Sequence, residues 1–90
     1  MNTICVKAVI SGKVQGVFYR SGTRKKAQSM NLTGWIKNND NGTVELIACG
    51  DEENLKTLID WLWIGPDAAT VDDVVWSEMS FERHDGFEIR

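Results

Sequence analysis

A chain of 90 residues, 42% hydrophobic and 26% charged with a single proline, has the size and composition of one globular domain over residues 1–90. At this length folding buries roughly 60–65% of the surface the unfolded chain exposes. A net charge of −3 argues against a general nucleic-acid binder, whose affinity rests on clustered Lys and Arg. No apolar run approaches the ~20 residues of a membrane span and no signal-peptide pattern opens the chain, so the expectation is a cytoplasmic monomer with neither nucleic acid nor membrane as partner.

In chain order, residues 4–10 set Ile4, Val6, Ala8 and Ile10 against Cys5, Lys7 and Val9, the period-two pattern of a half-buried strand. Gly12-Lys13-Val14-Gln15-Gly16-Val17-Phe18-Tyr19-Arg20 follows and reads as strand, glycine-rich loop and helix start. Such a segment makes an anion site. Glycine conformations turn N–H groups toward one point, and the first helical turn adds unpaired N–H groups and the positive end of its dipole. The candidate donors are the backbones of Gln15, Gly16, Val17, Phe18, Tyr19 and Arg20, and the Arg20 guanidinium supplies a permanently charged fork suited to phosphate oxygens.

A helix is expected over residues 19–30, with Tyr19, Thr23, Ala27 and Met30 facing inward and Asn31 at its end. Arg24, Lys25 and Lys26 form a solvated face that would at most steer an anion toward Arg20. Residues 33–38 form a second strand, Asn41-Gly42 signals a hairpin, and residues 43–49 return as a third strand. Gly50-Asp51 opens a second helix with Glu52 and Glu53 in its first turn and Leu55, Leu58, Ile59 and Leu62 as its buried stripe; Gly65-Pro66 stops it. Residues 71–79 are a fourth strand, with Val71, Val75 and Met79 or the alternate set facing the core, and residues 87–89 a short last one. This order is the split β-α-β pattern: a ferredoxin-like α+β domain, βαββαβ with a short C-terminal strand, whose antiparallel sheet carries both helices on one face.

In that topology the first and third strands are antiparallel neighbours. Pairing them so that residue numbers sum to 54 puts Val6, Ala8 and Ile10 opposite Ala48, Leu46 and Val44 under the helices, and Cys5 directly opposite Cys49 on the other face. The separation of opposed residues fits a disulfide, while a cytoplasmic setting would keep both thiols reduced; both alternatives stand on the sequence.

The loop is not a nucleotide-binding P-loop, because its second glycine comes one residue early and is followed by Val17 and Phe18 in place of Lys and a hydroxyl. Nor does it hold the thiolate of a cysteine phosphatase. What remains is an anion cradle without a covalent nucleophile, in which water would attack. Gly-x-Val-Gln-Gly-Val-x-Tyr/Phe-Arg, with Gly34-Trp35-Ile36-Lys37-Asn38 and Gly42-Thr43-Val44-Glu45, closely resembles the two signatures of the acylphosphatase family, small enzymes that hydrolyse acyl phosphates. The resemblance runs from Ile4 to Arg90. It implies a small-molecule acyl phosphate as substrate, inorganic phosphate or sulfate as product-like ligand, Arg20 on the phosphoryl group, and Asn38 as the residue that positions the attacking water.

Read locally, Asn38, Asn39 and Asn41 are indistinguishable as shapers of a hairpin. The one histidine, His84, reads as exposed and non-catalytic, and neither a metal nor an organic cofactor is implied. The alternative to an enzyme is a non-catalytic ferredoxin-like domain that keeps the cradle for anion binding or regulation. An RNA-recognition version would carry paired aromatics on the central strands, and the first and third strands have none.

Overall fold

The computed structural model describes residues 2–90. Its elements are β1 (Thr3–Lys13), α1 (Tyr19–Ser29), β2 (Thr33–Asn38), β3 (Val44–Asp51), α2 (Glu52–Ile64), β4 (Thr70–Met79) and β5 (Phe87–Ile89). One sheet of order β4-β1-β3-β2-β5 contains all five strands. β1 and β3 pair antiparallel with Val6 opposite Ala48, Ala8 opposite Leu46 and Ile10 opposite Val44, the register that the alternating pattern demands. These six side chains are buried against Tyr19, Thr23 and Ala27 of α1 and Leu55, Leu58, Ile59 and Leu62 of α2, so the core lies between one sheet face and the two helices.

β1 runs three residues beyond the expected strand because its pairing with β4 shifts between Ser11 and Gly12, skipping Asp72. Gly12 therefore belongs to a bulged strand and not to the loop. Its φ is 122°, and a Cβ there would lie against the Thr70 carbonyl oxygen. The same bulge corrects the facing of β4: Val71 and Val74 turn to the core side while Val75 stands 63% exposed, because a skipped residue exchanges the two faces. The hairpin is also longer than Asn41-Gly42 suggested. Only Gly42, at φ 90°, is left-handed, and the Asn41 side-chain oxygen instead accepts from the Thr43 N–H at 3.1 Å, closing a five-residue connection, 39–43.

Cys5 and Cys49 stand opposite each other and are joined in a disulfide on the sheet face away from the helices. Both are fully buried, and the Glu82 N–H, from the connection between β4 and β5, donates to Cys5 Sγ at 3.1 Å. β5 differs from the other strands in running parallel to its neighbour, Ile89 opposite Ile36, which makes the sheet mixed. β1, β2 and β5 consequently end at the same edge of the sheet, and α1 begins there. No helix among the described residues is long and apolar enough to cross a membrane.

Two predictions follow from this packing. Gly34, at φ 139°, has the Ile47 carbonyl oxygen where a Cβ would sit, so Gly34→Ala should cost about 2–4 kcal/mol. Gly86→Ala, also at positive φ but with open space around it, should cost about 1 kcal/mol; denaturant midpoints of the two variants test the contrast. Because the disulfide closes a separation of 44 residues, reduction should lower the unfolding free energy by about 2–4 kcal/mol, read by denaturation with and without reductant alongside intact mass.

Candidate active site

Residues 14–18 cross from the end of β1 to the start of α1. Val14 and Val17 are buried and anchor the crossing from below. Between and after them the backbone turns left-handed twice, at Gly16 (φ 73°) and at Phe18 (φ 63°), the N-cap of α1. For a phenylalanine that conformation costs on the order of 1–3 kcal/mol. Pinning the valines inward turns the peptide groups outward: none of the seven N–H groups from Gln15 to Ser21 donates a hydrogen bond to any described residue. The first helical bond is Gly22 N–H to the Phe18 carbonyl, at 3.0 Å.

The start of α2 shows what a satisfied helix terminus looks like in this chain. There Asp51 accepts from the Glu53 N–H at 2.8 Å, and two acids occupy the first turn. α1 has no side-chain cap and no acid in its first turn. Its free donors and dipole are left uncompensated by the described residues.

Tyr19 holds this junction from inside. Its hydroxyl donates to the Leu62 carbonyl at 2.7 Å, its ring packs on Trp61 at 5.9 Å, and burial pushes the phenol pKa far above its ordinary range, so the group stays a neutral donor. Arg20 Nη1 donates to the Arg90 main-chain oxygen at 3.2 Å, and the Arg90 N–H donates to the Ile36 carbonyl at 2.8 Å. This relay ties the guanidinium to β2 two residues before Asn38. On the other side of Asn38, the Gln15 side-chain amide donates to the carbonyls of Asn39 at 2.8 Å and Thr43 at 2.9 Å, tying the loop to the hairpin. A cavity of about 260 Å³ opens over the loop, lined by Arg20 with Val14, Gly16, Phe18, Tyr19, Ser21 and Ile89.

Asn38 is the last residue of β2, opposite Val44, on the face the helices cover. Its Oδ1 is buried and has no hydrogen-bond partner. An orphaned buried acceptor costs about 1–3 kcal/mol, a cost that a protein sustains where the group serves something other than stability. The neighbouring asparagines are spent within the hairpin. Asn39 Nδ2 donates to Thr43 Oγ1 at 3.0 Å and Glu45 Oε1 at 3.3 Å, and Asn41 Oδ1 accepts from Thr43. Local sequence leaves the three equivalent; hydrogen bonding separates them.

Other candidates fall elsewhere. Lys37 and Arg90 flank the Trp35 ring on the opposite sheet face, at 5.7 and 5.0 Å from its centroid. Lys25 and Lys26 border a separate shallow depression beside Trp61. His84 is half-buried, not exposed as expected, with Nε2 3.2 Å from Glu82 Oε1. No cluster of three His, Cys, Asp or Glu side chains able to hold a metal ion occurs among the described residues. Ile89 and the Arg90 relay escape sequence reasoning, because only the parallel pairing of β5 with β2 brings them beside the loop, and three residues carry no signal of that pairing.

Fold and site together define a ferredoxin-like α+β domain whose sheet end carries unpaired main-chain donors beside an arginine and an unpaired asparagine. A family model described as Acylphosphatase matches residues 6–89. An acylphosphatase of Acaryochloris marina is 51% identical over 88 residues, covering 98% of this chain and 95% of its own. One of Coxiella burnetii is 48% identical over 89 residues, 99% of this chain and 94% of its own. The solved structure of an acylphosphatase from Coxiella burnetii superposes with a TM-score of 0.95 at 47% identity, over 99% of this chain and 94% of that one. The chain belongs to the acylphosphatase family.

Gln15→Ala should cost about 1–2 kcal/mol by leaving two carbonyls without their donor. It should also speed hydrogen exchange of the Asn39 amide, which closes the hairpin onto the Thr43 carbonyl; exchange and denaturation on the same variant check both.

Proposed function

We propose that this chain hydrolyses acyl phosphates to carboxylate and inorganic phosphate, by direct attack of a water held by Asn38 on a phosphoryl group held by the Gln15–Arg20 loop amides and the Arg20 side chain. The observation that carries this is the meeting, at one end of the sheet, of a run of donors without acceptors and one buried acceptor without a donor. A phosphoryl oxyanion supplies what the donors lack, and a water supplies what the acceptor lacks. The family membership supports the same chemistry.

In the reaction the water oxygen bonds to phosphorus as the bond from phosphorus to the acyl oxygen breaks. The electron pair leaves with the carboxylate, which at neutral pH needs no proton. One hydrogen of the water stays on its oxygen and the other passes to a phosphoryl oxygen. Charge spreads over the equatorial oxygens in the transition state, and preorganised amides and a guanidinium stabilise it without reorganising. The amide of Asn38 cannot take the proton, so its role is to place the water in line.

The test is phosphate release from acetyl phosphate with a chelator present. Arg20→Ala should lose on the order of 10²–10³-fold in turnover, since it removes a charged transition-state donor. Asn38→Ala should lower kcat while leaving inhibition by inorganic phosphate close to that of the unaltered protein, since it holds the water and not the anion. Near-normal turnover in Arg20→Ala defeats the assignment. Phosphate binding by the unaltered protein without turnover would identify instead a non-catalytic anion-binding domain.

A further inference from the structure

From the lining of the cavity over the loop we infer that Phe18 and Ile89 form an apolar subsite for the acyl substituent, so that the enzyme selects acyl phosphates with extended uncharged aliphatic or aromatic acyl groups. This rests on the proposed hydrolysis and adds its substrate preference. Phe18 is anomalous on two counts. It takes a left-handed backbone that glycine or asparagine would adopt with less strain, and its ring is 81% exposed. Neither property helps the fold, because an exposed ring contributes little burial and a strained backbone opposes folding.

Both properties put an aromatic wall at the rim of the anion site. The Phe18 carbonyl accepts the first helical hydrogen bond and the Ser21 hydroxyl, at 3.2 Å, which fixes the backbone from which the ring projects. Ile89 is 37% exposed and lines the same cavity. Arg20 is the only charged residue of the lining, and the Ser21 hydroxyl is already committed to Phe18.

With the phosphoryl group against the loop amides and Arg20, the rest of a 260 Å³ cavity is bounded by Phe18, Ile89 and the buried Val14. A carboxylate or ammonium on the acyl chain would be desolvated there without a fixed partner of opposite charge, apart from the arginine already assigned to phosphate. Methylene groups would gain contact.

Acetyl phosphate and butanoyl phosphate share one reacting group and differ by two methylenes, so the ratio of their kcat/KM values isolates the subsite. It is also independent of the fraction of correctly folded enzyme. The unaltered protein should favour butanoyl phosphate by about 5–10-fold, the worth of two partly buried methylenes. Phe18→Ala should bring the ratio below about 2, Ile89→Ala should lower it part of the way, and Phe18→Leu, which keeps an apolar wall, should hold it within about twofold of the starting value. A ratio near one in the unaltered protein, or one that neither alanine variant changes, overturns the subsite while leaving the hydrolase assignment intact. Failure to turn over either acyl phosphate defeats both.

Discussion

Between the end of β1 and the second turn of α1, consecutive peptide N–H groups find no acceptor among the described residues, and much of the surrounding architecture serves to keep them that way. Left to itself, a short segment would close turns on its own carbonyls or recruit a capping side chain, as α2 does with Asp51. Here Val14 and Val17 are held in the core, Tyr19 is bonded to the far end of α2, and Gln15 is bonded to the hairpin. Each of these anchors removes a way for the loop to collapse on itself. The conformational cost at Phe18 is sustained by the same set of contacts.

Topology supplies the second half of the site. A split β-α-β unit places β1 and β2 parallel with β3 between them, so the loop after β1 and the last residue of β2 reach the same edge from different directions. β5 then adds a third parallel end, and through the Arg90 backbone it links Arg20 to β2. Arg20 and Asn38 are eighteen positions apart in the chain and come from different elements, yet Arg20 is tied through Arg90 to Ile36 and Gln15 is bonded to Asn39, so the loop and helix start are fastened on both sides of Asn38. Such bracing from both sides holds the loop and the end of β2 in a fixed relation.

Much of the fold was legible because alternation and helical spacing in this chain agree with the tertiary structure. β2 begins and ends where its pattern does, and the register of β1 with β3 in which paired residue numbers sum to 54, opposing Cys5 and Cys49, is the one the structure holds. β4 was less legible. Its acidic pair Asp72-Asp73 obscures the period, and the bulge beside Asp72 changes faces in mid-strand, an event set by contact with Gly12 and not by local preference. Glycine placement and Arg20 marked out residues 15–20 as a candidate segment. Asn38 stood out only through the family signature, because its local distinction from Asn39 and Asn41 lies in a hydrogen bond it fails to make, and no propensity encodes that. Ile89 and the Arg90 relay depend on a strand too short to carry a period.

A run of free peptide N–H groups can change its side chains and remain a run of donors. The donors of residues 15–21 exist whatever side chains those positions bear, so long as the two left-handed turns and the buried valines persist. Side chains on the outer rim, Phe18 foremost, can then be exchanged without removing a single main-chain donor. Donor geometry and rim chemistry are thereby carried by separate parts of the same few residues: one by the course of the backbone, the other by the side chains that stand on it.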